Sequence, residues 1–313
     1  VNTVDYFKLF KLIAPEIILT LTALVALVVD LGVMREQPVR YRSGMAALFS
    51  CAGCLIALAW TAAVPIDGNL LNGMLVVNPL SQLAKMVLLV LVMATLLISL
   101  ETGFTEHIGE YFTLTLLATV GMMFLVSSEN LLLIFVALEL TSLSLYILTA
   151  FNKRSPQSAE AALKYFLFGG MAAAFTLYGL SLIYGLSGSI HLPQIAAKLK
   201  GQGMEPLLAV ALVMTVIGFG FKIAAVPFHL WAPDAYEGAP TPSAALIASG
   251  SKVASFFVFA KVMMLGFAGN EGSGAWRNLV AGWTPLLAVL AVFSMIIGNL
   301  AAIAQSNVKR LLA

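Results

Sequence analysis

Three observations predict an all-α polytopic transmembrane helix bundle of about nine spans with a discontinuous seventh helix. Of the 313 residues, 60% are hydrophobic and 10% charged, with a mean hydropathy of +0.97, whereas about a quarter of a soluble domain is charged. Mostly apolar runs of about 20 residues, the length that crosses a bilayer core, recur along the whole chain. One of these runs, in "IGFGFKIAAVPFHLWAPDAYEGAPTP", holds Lys222 and then Pro227, a charge and a helix breaker where neither is expected.

The spans are expected at 12–31, 44–64, 79–99, 111–127, 130–150, 160–185, 206–230, 243–267 and 283–305. All must be helical, because an open strand edge cannot satisfy its backbone in lipid. The opening "VNTVDYFKLFKLIAPEIILTL" has no small-residue cleavage site and runs straight into the first span, so it does not read as a signal peptide. The second span carries Cys51 and Cys54 at CxxC spacing inside an apolar helix, where they read as small packing residues rather than a redox pair. In the seventh, "GFGFK" is a glycine pair that lets a neighbouring helix approach, since it lacks the strand and turn of a nucleotide fingerprint. The chain stops at "QSNVKRLLA" just as another apolar run begins, and a fragment of a longer protein is expected.

Charge excludes some partners and orients the bundle. A net charge of +2, with scattered basic residues, gives no footprint for nucleic acid and no polybasic lipid patch. With the N-terminus outside, Arg35, Arg40, Arg42, Lys153, Arg154, Lys309 and Arg310 fall inside against Lys8, Lys11, Lys198, Lys200 and Arg277 outside, a lean toward N-out.

The charges within the spans carry the chemistry. An ammonium at the bilayer centre costs about 2.5–3.5 kcal/mol on insertion scales. Lys85 and Lys261 lie near span ends and are expected to snorkel to an interface. Lys164, one turn into the sixth span, either snorkels or reaches toward Glu139. Glu139, Lys222 and Lys252 are too deep to snorkel, which leaves a static ion pair or a proton relay. Desolvation disfavours a lysine's charged form and a nearby carboxylate favours it, so a lysine whose carboxylate moves is a proton site of switchable affinity. A thousandfold switch is about 4 kcal/mol, comparable with carrying a proton against about 100–200 mV. Pro227 frees a carbonyl about one turn earlier, beside Lys222, and a broken helix is tolerated where it lines a protein-buried or hydrated cavity. His229, two turns after Lys222, would share its face and extend the relay if the helix recovers; the alternative is a histidine bonded to its own loop. His107 and His191 lie in connections and no ligand set has zinc spacing, so neither haem, metal nor any redox centre is expected in this chain.

The segments "ENLLLIFVALELTSLSLYIL", "AALKYFLFGGMAAAFTLYGLSLIYG", "GFGFKIAAVPFHLWAPDAYEGAPTPSAALIASGSKVASF" and "IGNLAAIAQSNVKRLLA" together resemble the antiporter-like membrane subunits of respiratory complex I, over essentially the whole chain. The resemblance implies the complex I / Mrp antiporter-like fold, which has about fourteen helices and two inverted five-helix repeats, each with a discontinuous helix. On that pattern 1–110 are N-terminal helices, 111–267 the first repeat and 268–313 the start of an incomplete second. Glu139 and Lys222 would be the paired carboxylate and lysine of a half-channel, with Lys164 and Lys252 as the neighbouring lysines. The activity implied is proton pumping coupled to electron transfer from NADH to quinone. FMN, iron–sulfur clusters, NADH and quinone would be bound by other subunits, with no redox chemistry in this chain. The implied partners are the other membrane subunits of the complex, neighbouring antiporter-like ones included, and the lipid of a bacterial cytoplasmic membrane. The sequence departs from the pattern by stopping before most of the second repeat and its lysine. Rival readings are a subunit of a multi-subunit sodium–proton antiporter, a passive membrane scaffold, and a solute transporter with a pocket at the broken helix.

Overall fold

The computed structural model describes residues 6–64, 68–70, 73–101, 103–201 and 203–313. Its helices are α1 (Tyr6–Gly32), α2 (Val39–Ala63), α3 (Pro79–Ile98), α4 (Ile108–Ser127), α5 (Leu131–Thr149), α6 (Pro156–Ser187), α7 (Leu192–Leu199), α8 (Pro206–Ile223), α9 (Trp231–Gly238), α10 (Thr241–Ala248), α11 (Gly250–Lys261), α12 (Trp283–Ile303) and α13 (Val308–Leu311). Among the described residues nine segments are long and apolar enough to cross a membrane, α10 and α11 with the π-turn Val262–Gly266 forming one of them. Several begin before their apolar run, because helical hydrogen bonding continues into the polar boundary where hydropathy has already fallen. Two hairpins, β1 (Gly68–Leu70) with β2 (Leu75–Val77) and β3 (Ser273–Ala275) with β4 (Asn278–Val280), sit in connections.

Helix α4 is the axis of the bundle. It is apolar and buried on nearly every side, as befits a helix with no solvent or lipid face, and α1, α2, α3, α5 and α11 all pack on it. Its N-terminus is fixed by Asp30, which accepts from the Gly109 amide at 2.9 Å and from both the Nε and Nη2 of Arg42 at 2.7 and 2.6 Å. Helix α12 is the opposite case, with none of its residues buried.

Helices α6 and α8 meet through two reciprocal glycine–threonine contacts. A Cβ on Gly179 would stand 2.6 Å from the Thr215 hydroxyl, and one on Gly218 would collide with that of Thr176. Both threonines turn their hydroxyls back onto their own helices, to Ala211 and Ala172, at 2.8 Å, so neither leaves an unpaired donor at the contact. Small residues permit this approach where lipid provides no hydrophobic drive between helices. Gly218→Val is therefore expected to destabilise the protein by about 1–3 kcal/mol through overpacking, read as a lower melting temperature of the detergent-solubilised protein, whereas valine at the open position Gly170 has no such contact to break.

The seventh span departs most from expectation. Helix α8 stops at Ile223; Ala224 adopts left-handed backbone (φ 58°) and residues 224–230 form turns before α9 begins. The helix does not recover after Pro227, so the two-turn spacing that was to place His229 on the face of Lys222 does not apply. The Ala225 amide bonds Gly220 O at 2.8 Å, closing the helix end, and Pro227 then prevents the ladder from resuming.

Candidate functional site

Lys222 is 8% exposed and its Nζ donates to the Ser142 hydroxyl of α5. Ser142 in turn donates to Leu138 O within its own helix. The ring centroids of Phe221 and Tyr146 lie 5.7 and 6.0 Å from the Lys222 ammonium, which gives the cation π-faces in place of water. Where α8 breaks, the carbonyl of residue 222 loses its helical partner, and the Nζ of Lys252 donates to it at 3.0 Å. That same Nζ stands 4.5 Å from the centroid of Trp231. The indole N–H of Trp231 donates at 2.9 Å to Phe221 O, which also accepts from the Ala224 amide at 3.0 Å. Tyr165 stacks on Trp231 with 4.2 Å between centroids, and Tyr146 meets Tyr165 edge-on at 4.6 Å. The broken helix thus offers the orphan carbonyl of residue 222 to a lysine, and a second acceptor position on Phe221 O to an indole, under an aromatic cover.

Glu139 lies one turn before Ser142 on α5 and is half-buried, on the stripe of Leu132, Val136, Leu143 and Ile147 that faces outward. It makes no ion pair with Lys222 among the described residues, although its charge acts on that lysine. Glu139 and Lys222 therefore share a neighbourhood through Ser142 without touching.

Lys164 does not reach toward Glu139. Its Nζ lies 2.7 Å from Glu160 and 2.9 Å from Asp234 on α9. Asp234 also accepts from Arg310 at 2.6 Å, and Arg310 bonds Glu237 at 2.7 Å, so α13 is held on α9 by a charged cluster. Burial works against the Asp234 carboxylate, but the hydrogen bonds from Lys164 and Arg310 outweigh it and hold its pKa below the ordinary 3.8. A depressed carboxyl stabilises above its unfolded pKa and loses that contribution as pH falls through the folded value. The α9–α13 contact is accordingly expected to hold at neutral pH and loosen only in acid, below about 3.8, while Asp234→Asn loosens it already at neutral pH, as hydrogen exchange at 307–311 would report.

The lysines expected to snorkel are buried instead. Lys85 is 2% exposed and lies 2.6 Å from Glu16, itself 1% exposed. Lys261 donates to Val126 O at 2.8 Å and Ser128 O at 3.3 Å, capping the end of α4. In each case the ammonium is met by a protein acceptor. His229 sits half-buried in the unwound segment with its Nδ1 unpaired. Cys51 and Cys54 are free on α2, and among the described residues no three His, Cys, Asp or Glu are placed to hold a metal. Beside the break lies a cleft of about 260 Å³ whose walls, Phe168, Met171, Phe175, Ile217 and Pro227 among them, offer almost entirely apolar surface.

Ser142, Asp234, Trp231 and Arg310 were not singled out from the sequence. Ser142 stands at i+3 from Glu139, and Asp234 and Trp231 lie within the same quoted run as Lys222, so their positions carried a signal. Arg310, 76 residues from Asp234, carried none.

The family described as NADH:quinone oxidoreductase/Mrp antiporter, TM, matches residues 128–313. The NADH-quinone oxidoreductase subunit N 2 of Acidobacterium capsulatum is 53% identical over the whole of this chain and 64% of its own length. Respiratory complex I from Thermus thermophilus, solved with bound aureothin, contains a chain 33% identical, with a TM-score of 0.71 over 95% of this chain and 60% of that one. The membrane-bound sulfane sulfur reductase, an archaeal respiratory membrane complex, contains one 26% identical with a TM-score of 0.78, over 98% and 61%. The chain thus spans about three fifths of the length of these relatives. Its matched region takes in α5, α8 and α11, which hold Glu139, Lys222 and Lys252, and the chain belongs to the NADH:quinone oxidoreductase/Mrp antiporter transmembrane family.

Proposed function

We propose that this chain is part of a proton-translocating membrane subunit, of the subunit N type, of a bacterial NADH:quinone oxidoreductase. The observation that carries the reading is the Lys222 ammonium, buried at a broken transmembrane helix, hydrogen-bonded to a neutral hydroxyl and, among the described residues, not paired with a carboxylate. A structural cation in lipid is expected to be paired; a proton carrier must be able to lose its charge. Ser142 can accept from the ammonium or donate to the free amine, so it accommodates both forms. Lys252, bonded to the carbonyl of residue 222, is the neighbouring station.

The spans alternate in direction, which puts Lys164 and Asp234 toward the face opposite the N-terminus, in a polar cleft of about 290 Å³ lined also by Glu160 and Arg310. That cleft is the entrance in this reading, with Lys222 and Lys252 deeper in. Glu139 acts on Lys222 through space and sets its affinity for the proton as the carboxylate approaches or recedes. Electron transfer belongs to other subunits, and the inner membrane is the compartment that follows.

The family resemblance to sulfane sulfur reductase and Mrp proteins makes the redox partner and the pumped ion the points to test. In vesicles carrying the full-length protein in its complex, Lys222→Ala should abolish or cut proton uptake driven by NADH oxidation while the complex still assembles. Wild-type pumping by that variant would overturn the reading, and a sodium-dependent signal would favour the antiporter alternative.

A further inference from the structure

A second buried ionisable group lies away from Lys222, among the first three helices. Glu16 and Lys85 form an ion pair of 2.6 Å, each at most 2% exposed. Among the described residues neither oxygen of Glu16 has a well-directed hydrogen bond, so the carboxylate is balanced there by charge and has acceptor positions to spare. A static buried pair is expected to fill them, because an ion pair out of water repays its desolvation only when its remaining lone pairs are satisfied.

The surroundings provide access. Pro15 has no amide to give to Lys11 O, four residues earlier, and the Trp60 indole N–H takes that carbonyl at 3.4 Å. Between these helices lies a recess of about 10 Å³ reaching Lys85, walled by Lys11, Trp60, Val64 and Gln82; that is about the least volume that holds one water. The recess lies toward the N-terminal face, because α1 and α3 both begin there. Lys261, whose ammonium caps α4, is near enough to repel Lys85, and Glu129, 9% exposed, attracts Lys261. The charge of Lys261 on α11 therefore acts on that of Lys85 on α3, beside the Glu16–Lys85 pair.

We propose that Glu16 and Lys85 are a second proton-exchanging site, which passes protons between the interior and the N-terminal face through the recess beside Trp60, under the control of the charge on Lys261. In the step, an Nζ–H bond of Lys85 breaks and its electron pair stays on nitrogen. An O–H bond forms on Glu16 Oε1, and the charge-separated pair becomes amine and carboxylic acid with no change in net charge. The amine of Lys85, which lines the recess, then takes a proton from water there, and the acid gives its proton toward the interior. A positive Lys261 repels the ammonium and favours the transfer.

This inference rests on the proton-translocating reading, and the test separates the two. The full-length chain in its native membranes is compared as wild type, as Lys222→Ala, and as the double variant Glu16→Leu/Lys85→Met, which replaces the pair by apolar side chains. The double variant is expected to assemble and to show the same loss of protons moved per electron as Lys222→Ala. Wild-type stoichiometry in the double variant, with loss in Lys222→Ala, overturns the second site alone. Wild-type stoichiometry in both overturns the translocation reading and the second site with it. Should the double variant fail to assemble, Glu16→Asp decides: a proton-loaded carboxyl shifts its acid stretch in infrared difference spectra of working membranes, and an unchanged spectrum overturns the site.

Discussion

Lys222→Arg is expected to move protons no better than Lys222→Ala, although it keeps the positive charge. A fixed cation at the helix break would be served by either side chain, and arginine would even add hydrogen bonds toward Ser142. A carrier must release its proton in each cycle. Guanidinium holds its proton at least about 2 pKa units more tightly than an ammonium, about 2.7 kcal/mol, so turnover through the site should fall about a hundredfold or more. Proton uptake per electron in membrane vesicles, with assembly followed on native gels, distinguishes the cases. Full recovery in Lys222→Arg would make Lys222 a structural charge.

The second large effect concerns stability. Glu16→Leu alone leaves Lys85 buried without its counter-charge and is expected to destabilise the protein by about 3–5 kcal/mol. Adding Lys85→Met removes the stranded cation and should restore most of that loss, since apolar side chains of similar volume commonly replace a buried pair at little cost. Thermal denaturation of the solubilised protein, followed for the single and double variants, measures this non-additivity. Simple addition of the two effects would mean that Lys85 does not depend on Glu16.

What the sequence makes legible depends on how far away the partner lies. The spans follow from hydropathy alone, and Lys222 and Pro227 announce a broken helix because each violates its local context. The length of the break does not follow from them. It depends on Ala224 taking a left-handed conformation and on Trp231 and Lys252 donating to the carbonyls of residues 221 and 222, which are tertiary facts. Lys85 and Lys261 were misjudged for the same reason. A lysine near a span end snorkels only if no protein acceptor is closer, and theirs are Glu16 on α1 and the carbonyls at the end of α4, the latter more than 130 residues away in sequence. Lys164 found Asp234, 70 residues on, in preference to Glu139. Depth in a span is a local property; partnership is not.

The unwound segment after α8 is also fastened to α12. The Val226 amide, freed from any helix, donates to the Ser294 hydroxyl of α12 at 3.0 Å, while Trp283, Leu286, Leu287 and Leu290 of α12 pack against the core. The two therefore behave as the jaws of a clasp. Sliding α12 by even the length of that bond orphans a partly buried amide, a penalty of about 1–3 kcal/mol, unless the segment follows. The segment cannot follow without dragging the carbonyl of residue 222 away from Lys252. A displacement of α12 is therefore expected to bear on the groups around the buried ammonium ions through the Val226–Ser294 bond.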